Sequence, residues 1–222
     1  MSKISRPLII AGISLSFFSA LALLVNASGI PVIDEYVMSV FPRLNRPQFY
    51  QIALFASKFG AFKTILMLSL PLVAWLAVKQ PKNAQSFLLS FAISPLSSVL
   101  KRVFLRQRPE EWLVGFKTVV SNSASFPSGH TLISVSVYGF MIILLWRSKL
   151  HKAIRIIGTT VLGLIIFSVA VSRVYLGVHY PTDVIGSFLF SIGWLAIILG
   201  LEQHVNAKTS ASVLGVTDSR TT

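Results

Sequence analysis

Two histidines, one aspartate and three cationic side chains of this 222-residue chain stand at spacings suited to handling a phosphoryl group. Lys101 and Arg108-Pro109 are seven residues apart, so on a helix they return to nearly the same face, about 10 Å along the axis. Two long cations there converge on one anion, Arg offering a planar fork to phosphate oxygens and Lys a mobile point charge. Snorkelling of both to lipid headgroups is the plainer reading of that pair alone. In Ser125-Phe126-Pro127-Ser128-Gly129-His130, directly before the apolar run from Thr131 to Trp146, Ser128 is placed as a helix N-cap. Gly129 admits a ligand close to the backbone, an oxyanion suits the positive helix end, and His130 falls in the first turn beside it. An ordinary turn at a helix start is the alternative. In Ser172-Arg173-x5-His179-x3-Asp183, Pro181 opens a helix, with His179 just before it and Asp183 about one turn after. A carboxylate on one imidazole nitrogen fixes the tautomer and makes the other nitrogen a nucleophile or base.

Together these clusters supply at least three cations, two histidines, one carboxylate and a helix N-terminus. That inventory suits phosphoryl transfer: cations neutralise the phosphoryl oxygens, one histidine attacks in line and the other protonates the leaving oxygen. A divalent-metal phosphatase needs several carboxylates, and Asp183 stands alone in these motifs, so no metal and no cofactor is expected. The chain has no cysteine, which removes thiolate ligands and nucleophiles. His151 and His204 match nothing and are expected to be solvated.

The elements that must position these residues are membrane helices. Apolar residues make up 54% of the chain and charged ones 12%, with mean hydropathy +0.74, against about 25% charged in a soluble domain. Residues 7–33, 64–78, 83–100, 118–146, 156–172 and 184–201 carry no Asp, Glu, Lys or Arg, and most of these runs are long enough to span a bilayer. The pattern predicts an all-α bundle of six transmembrane helices over 1–202 and a polar, disordered tail over 203–222. Leu8 to Val25, after Lys3 and Arg6, is too long for a signal-peptide core and reads as a retained anchor. Ile33, Val37, Val40 and Phe41 predict a short amphipathic interfacial helix between Pro31 and Pro47. Further spans are expected at about 55–78, 86–100, 129–146, 155–173 and 182–200, with a polar connection from Lys101 to Phe126.

Basic residues outnumber acidic ones 20 to 7. They sit at helix ends, not on one soluble face, which argues against nucleic acid as a partner. With the N-terminus inside, Lys79, Lys82, Arg147, Lys149, Lys152, Arg155 and Lys208 satisfy the positive-inside rule. The cations at 101–108 break it, which marks them for another task. All three motif clusters then lie on the extracytoplasmic side, and both termini in the cytoplasm.

At this point the sequence resembles the type 2 phosphatidic acid phosphatases, membrane lipid phosphatases related to vanadium haloperoxidases. Their signature, K-x6-RP, PSGH and SR-x5-H-x3-D, reads here Lys101…Arg108-Pro109, Pro127-Ser128-Gly129-His130 and Ser172-Arg173…His179…Asp183, in order. The resemblance implies that His179 is the nucleophile forming a phosphohistidine, Asp183 its orienting carboxylate and His130 the general acid. It implies that Lys101, Arg108, Ser128, Gly129 and Arg173 bind phosphoryl oxygens, that no metal is needed, and that the substrate is a lipid phosphate or diphosphate in a bilayer. Undecaprenyl diphosphate, phosphatidylglycerol phosphate and phosphatidic acid are the expected substrates, and a bacterial cytoplasmic membrane the expected location. No obligate protein partner is implied. A phosphotransferase passing the phosphoryl group to a second lipid shares the first half-reaction. An anion or lipid transporter is disfavoured, because the cations gather at one face and no inverted repeat is evident.

Overall fold

The computed structural model describes residues 5–28, 30–40, 46–109 and 123–213. Among them the chain is all-helical: α1 (Ser5–Ser28), α2 (Val32–Val40), α3 (Pro47–Lys58), α4 (Phe62–Lys79), α5 (Pro81–Phe91), α6 (Ile93–Phe104), α7 (Gly129–Arg147), α8 (Lys152–Tyr175) and α9 (Pro181–Val213). Six stretches among the described residues are long and apolar enough to cross a membrane: Arg6–Ala27, Phe62–Lys79, Pro81–Phe104, Gly129–Arg147, Lys152–Tyr175 and Pro181–Ala207. The chain is therefore an integral membrane helical bundle, the class its sequence predicts.

The structure departs from the predicted boundaries at three places. The segment expected to open the second span at residue 55 belongs to a separate helix, α3, and α4 begins only at Phe62. The chain breaks at Phe59-Gly60-Ala61 because it passes beneath α7 and α8: a Cβ on Gly60 would lie 2.5 Å from Val169 and 3.0 Å from the His130 Cβ. The Tyr138 hydroxyl closes the break by donating to the Phe59 carbonyl (2.9 Å). The third span starts earlier than expected and has two halves, α5 and α6. Pro95 explains the joint, since it has no N–H for the Phe91 carbonyl and its ring crowds that oxygen. At the other end, α9 continues through Val213, beyond residue 202 where composition places a disordered tail. Glu202 pairs with Arg147 (2.6 Å) and Asn206 accepts from Lys82 (3.0 Å), so the extension is tied to neighbouring spans. Residues 214–222, like Phe41, lie outside the described residues.

Two spans form the centre. In α7 and α9, 50% and 44% of the span is buried, against 17% in α4 and α8. Leu132, Val137 and Phe140 of α7 pack with Ile65 of α4, Phe87 of α5 and Ile198 of α9. Because lipid offers little hydrophobic drive between helices, close packing and polar rungs matter more there. Ser187 donates to the Ser128 carbonyl (3.0 Å), Ser191 to the Leu132 carbonyl (3.0 Å) and Ser136 to the Ser90 carbonyl (2.8 Å).

Gly186, Gly193 and Gly200 recur every seven residues along α9, and α1 lies against this stripe, with Leu15 over Gly193 and Leu8 over Gly200. Phe126 sits over Gly186, within 2.6 Å of where a Cβ would stand. It is fully buried, stacks on Phe18 of α1 (5.5 Å) and meets Phe104 of α6 edge-on (5.2 Å). This aromatic cluster fixes the loop entering α7. Gly186→Ala should therefore overpack the rigid Phe126 ring, cost about 1–3 kcal/mol, and lower the thermal unfolding midpoint in detergent.

Candidate active site

The three motifs meet at one end of the bundle. The link between α8 and α9 turns at Gly177, whose φ of 65° suits a residue without a Cβ. The amides of Val178 and His179 both bond the Arg173 carbonyl (3.3 Å each), so the chain wraps the end of α8 and carries His179 inward. His179 is 2% exposed, and its Nδ1 lies 3.3 Å from Asp183 Oδ2. The Asp183 carboxylate also accepts from the Tyr180 amide (2.9 Å), the Ser125 hydroxyl and Arg106 Nη1 (2.5 Å). So many donors keep the carboxylate ionised, which places the imidazole proton on Nδ1. Burial holds His179 well below its ordinary pKa, against the opposing hydrogen bond and charge of Asp183. The result is a neutral imidazole whose Nε2 lone pair points away from Asp183, toward Arg108 Nη1 at 3.5 Å.

Lys101 and Arg108 converge by a route other than the single helix face expected from their spacing. Helix α6 ends at Phe104, Leu105 takes a left-handed conformation (φ 46°), and residues 105–109 run on without helix. Lys101, in the last turn of α6, reaches the Ala124 carbonyl, while Arg108 approaches from the non-helical stretch after it. Arg108 Nη1 donates to the Val178 carbonyl (2.6 Å), Nε to the Ser123 carbonyl (3.0 Å) and Nη2 to the Ser123 hydroxyl (3.0 Å). One guanidinium thus ties together the segments before α7 and before α9.

Ser128 occupies the N-cap position of α7 as predicted, yet its side chain caps no backbone amide. Its hydroxyl instead accepts from Thr131 (3.1 Å), so the positive helix end is left for a ligand. A Cβ on Gly129 would lie 3.4 Å from the Ser97 hydroxyl and 3.9 Å from Lys101 Cε, which puts the Lys101 stem beside the first turn of α7. Arg173, on the last turn of α8, donates to the Ser57 hydroxyl of α3, and its buried Nε has no partner among the described residues. His130 and Arg173 line an open cleft of about 590 Å³ bounded by α3.

Sequence reasoning missed the support beneath this site. Asp34, which lies in none of the three motifs, is completely buried and belongs to the site's polar network. Asp183 is therefore not alone. Arg106 bridges the two carboxylates, Nη2 to Asp34 (2.7 Å) and Nη1 to Asp183 (2.5 Å), and its guanidinium lies 4.2 Å from the centre of the Tyr180 ring. Thr182 completes the network, with its amide and hydroxyl on Asp34 (2.9 and 2.5 Å). The signal available in the sequence was the expense of a carboxylate beside a span. His151 and His204 are exposed, and His151 accepts from the Ala153 amide at the start of α8 (3.3 Å).

A membrane bundle closing on a cationic pocket beside a carboxylate-oriented imidazole has the form of a membrane phosphatase. The family model of the PAP2 superfamily matches residues 83–207, and the chain belongs to that superfamily. Phosphatidylglycerophosphatase B of Bacillus subtilis (strain 168) is 28% identical over 197 residues, covering 85% of this chain and 93% of its own. Decaprenylphosphoryl-5-phosphoribose phosphatase of Mycolicibacterium smegmatis is 30% identical over 113 residues, 49% of this chain and 56% of its own. The crystal structure of a transmembrane PAP2-type phosphatidylglycerolphosphate phosphatase from Bacillus subtilis superposes with a TM-score of 0.75 at 26% identity, over 88% of this chain and 96% of the other. The chain is thus a phosphatase.

Arg106 answers two buried carboxylates at once, so Arg106→Leu should cost about 3–5 kcal/mol through uncompensated charge. Removing Asp34 as well, in Arg106→Leu/Asp34→Leu, should recover part of that loss. Thermal unfolding of the two variants in detergent checks the difference.

Proposed function

We propose that this protein hydrolyses the phosphate of a membrane lipid through a phosphohistidine on His179. The observation that carries this reading is the direction of the imidazole, Nδ1 on Asp183 and Nε2 toward Arg108. The Nε2 lone pair attacks phosphorus as the bond to the leaving oxygen breaks, and His130 gives that oxygen its proton. Water then attacks the phosphohistidine, returning a proton to His130 and releasing inorganic phosphate. Lys101, Arg108, Arg173, the Ser128 hydroxyl and the amides of Gly129 and the start of α7 neutralise the phosphoryl oxygens.

The charge balance supports this assignment. Arg106 and Asp34 cancel, and Lys101, Arg108 and Arg173 against Asp183 leave a surplus of two positive charges before the proton on His130 is counted, which suits an anionic phosphate. The reading requires no metal, because both carboxylates are engaged by Arg106, Thr182, Ser125 and Tyr180. The basic ends of α7 and α8, Arg147 and Lys152, lie one full span from His130 and Arg173. By the positive-inside rule this supports a site on the extracytoplasmic face with both termini in the cytoplasm, and the Bacillus subtilis relative supports a bacterial cytoplasmic membrane. The similarity to phosphatidylglycerophosphatase B favours phosphatidylglycerol phosphate, with undecaprenyl diphosphate and phosphatidic acid as further substrates.

Purified protein in detergent should release inorganic phosphate from this panel of lipids. In His179→Ala the rate should fall on the order of 10³-fold or more with the unfolding midpoint nearly unchanged; turnover retained in that variant would exclude the phosphohistidine. The wild-type rate should be the same in excess EDTA as without it, measured after prior dialysis against chelator. A strict need for added divalent cation would show a different site chemistry.

A further inference from the structure

The cleft leading to His130 is asymmetric. His130 and Arg173 lie in its lining, whereas His179 does not, being almost completely covered. With His130 as proton donor to the leaving oxygen, the cleft opens on the leaving-group side of the phosphorus. Its outer wall is α3, which contributes Gln51, Leu54, Phe55 and Lys58. These fall at i, i+3, i+4 and i+7, one face of a helix, with about 10 Å of rise between the two polar ends. Leu176 and Val178 face them from the α8–α9 link.

The apolar middle of this stripe suits a lipid chain or its glycerol carbons. The cation at its end does not. Lys58 stands two residues before Gly60, where a Cβ would lie 3.0 Å from the His130 Cβ, and Lys58 and His130 line the same cleft. Its amino group, on a flexible four-carbon stem, is thus within the cleft that the proton donor lines, yet Lys58 lies in none of the three motifs that surround the scissile phosphate.

We infer that α3 forms a leaving-group subsite in which Lys58 binds a second phosphate, so that the enzyme favours lipids whose leaving group still carries one. This deepens, and rests on, the lipid phosphatase reading above. A diphosphate presents that second phosphate directly across the bridging oxygen, and a phosphodiester headgroup presents it a few carbons away. The reach of a lysine covers both.

The test is phosphate release by the full chain in detergent from phosphatidylglycerol phosphate and phosphatidic acid, and from farnesyl diphosphate and farnesyl phosphate. Each pair differs in the second phosphate. In Lys58→Ala the ratio of kcat/KM for the two-phosphate member over the one-phosphate member should fall roughly tenfold, the scale of one charge-assisted hydrogen bond. Lys58→Arg should restore most of the ratio, and Lys63→Ala, exposed beyond the cleft, should leave it as in wild type. A fall in the farnesyl pair alone or the phosphatidyl pair alone supports the subsite and tells at which distance it reads. An unchanged ratio, or an equal loss on all four lipids, overturns it and assigns Lys58 to membrane headgroups. Absence of release by the wild-type protein from every lipid overturns the phosphatase reading itself, and is distinguished by being independent of Lys58.

Discussion

A carboxylate with no solvent exposure at the end of a membrane span is tolerable only when its charge is answered nearby, and in this protein Arg106 answers two of them. The geometry of that one guanidinium sets much else. Its fork has one nitrogen on α2 through Asp34 and the other on the first turn of α9 through Asp183. Leu105 and Gln107 face outward while Arg106 and Arg108 turn inward. The left-handed residue that stops α6 at Leu105 thus places Arg106 and Arg108 on the same side. Asp34 in turn fixes α2, whose Met38 fills the space against Val174 and Tyr180 while Val32 and Tyr36 remain on the outside.

On this foundation the cations of the pocket stay unneutralised. Lys101, Arg108 and Arg173 are each fixed by a neutral acceptor, the Ala124 carbonyl, the Val178 and Ser123 oxygens, and the Ser57 hydroxyl. Neutral acceptors orient a cation without consuming its charge, so the attraction for an anion is preserved. Had these partners been carboxylates, the pocket would be electrically satisfied while empty. The same logic explains Ser128, which leaves the positive end of α7 uncapped, and Asp183, whose many donors keep it from taking the His179 proton.

The sequence displayed the spans and the residues of the three motifs clearly, for two different reasons. Spans are written as runs free of charge, and α7, α8 and α9 begin within three residues of the expected positions because Gly129, Lys152 and Pro181 bound them. The motif residues are legible because their spacing is short: His179 and Asp183 need only one turn between them. Asp34 and Arg106 were not legible, since 72 residues separate them and their pairing depends on how α2 lies across α9. Helix α3 was hidden because Ile52, Leu54 and Phe55 continue the hydrophobicity of α4, and the break at Gly60 arises from the approach of His130 and Val169, a tertiary cause. The route from Lys101 to Arg108 was misread for a similar reason: the helical spacing is real in number, but the helix stops between them.

The placement of the site at the end of the bundle follows from three demands that conflict anywhere else. Several uncompensated cations are costly at the bilayer midplane but much cheaper at its edge, where they lie within reach of water and headgroups. A lipid phosphate sits at that same depth, so the reacting atom need not leave the interface. The second half of the proposed reaction consumes water, which the edge supplies and the midplane does not. The long apolar spans therefore contribute little chemistry themselves. Their task is to hold the first turns of α7 and α9 and the last turn of α8 in register, and the serine rungs and the Phe126 cluster, set within two turns of the pocket, do this where an error would displace His179 from the cations that face it.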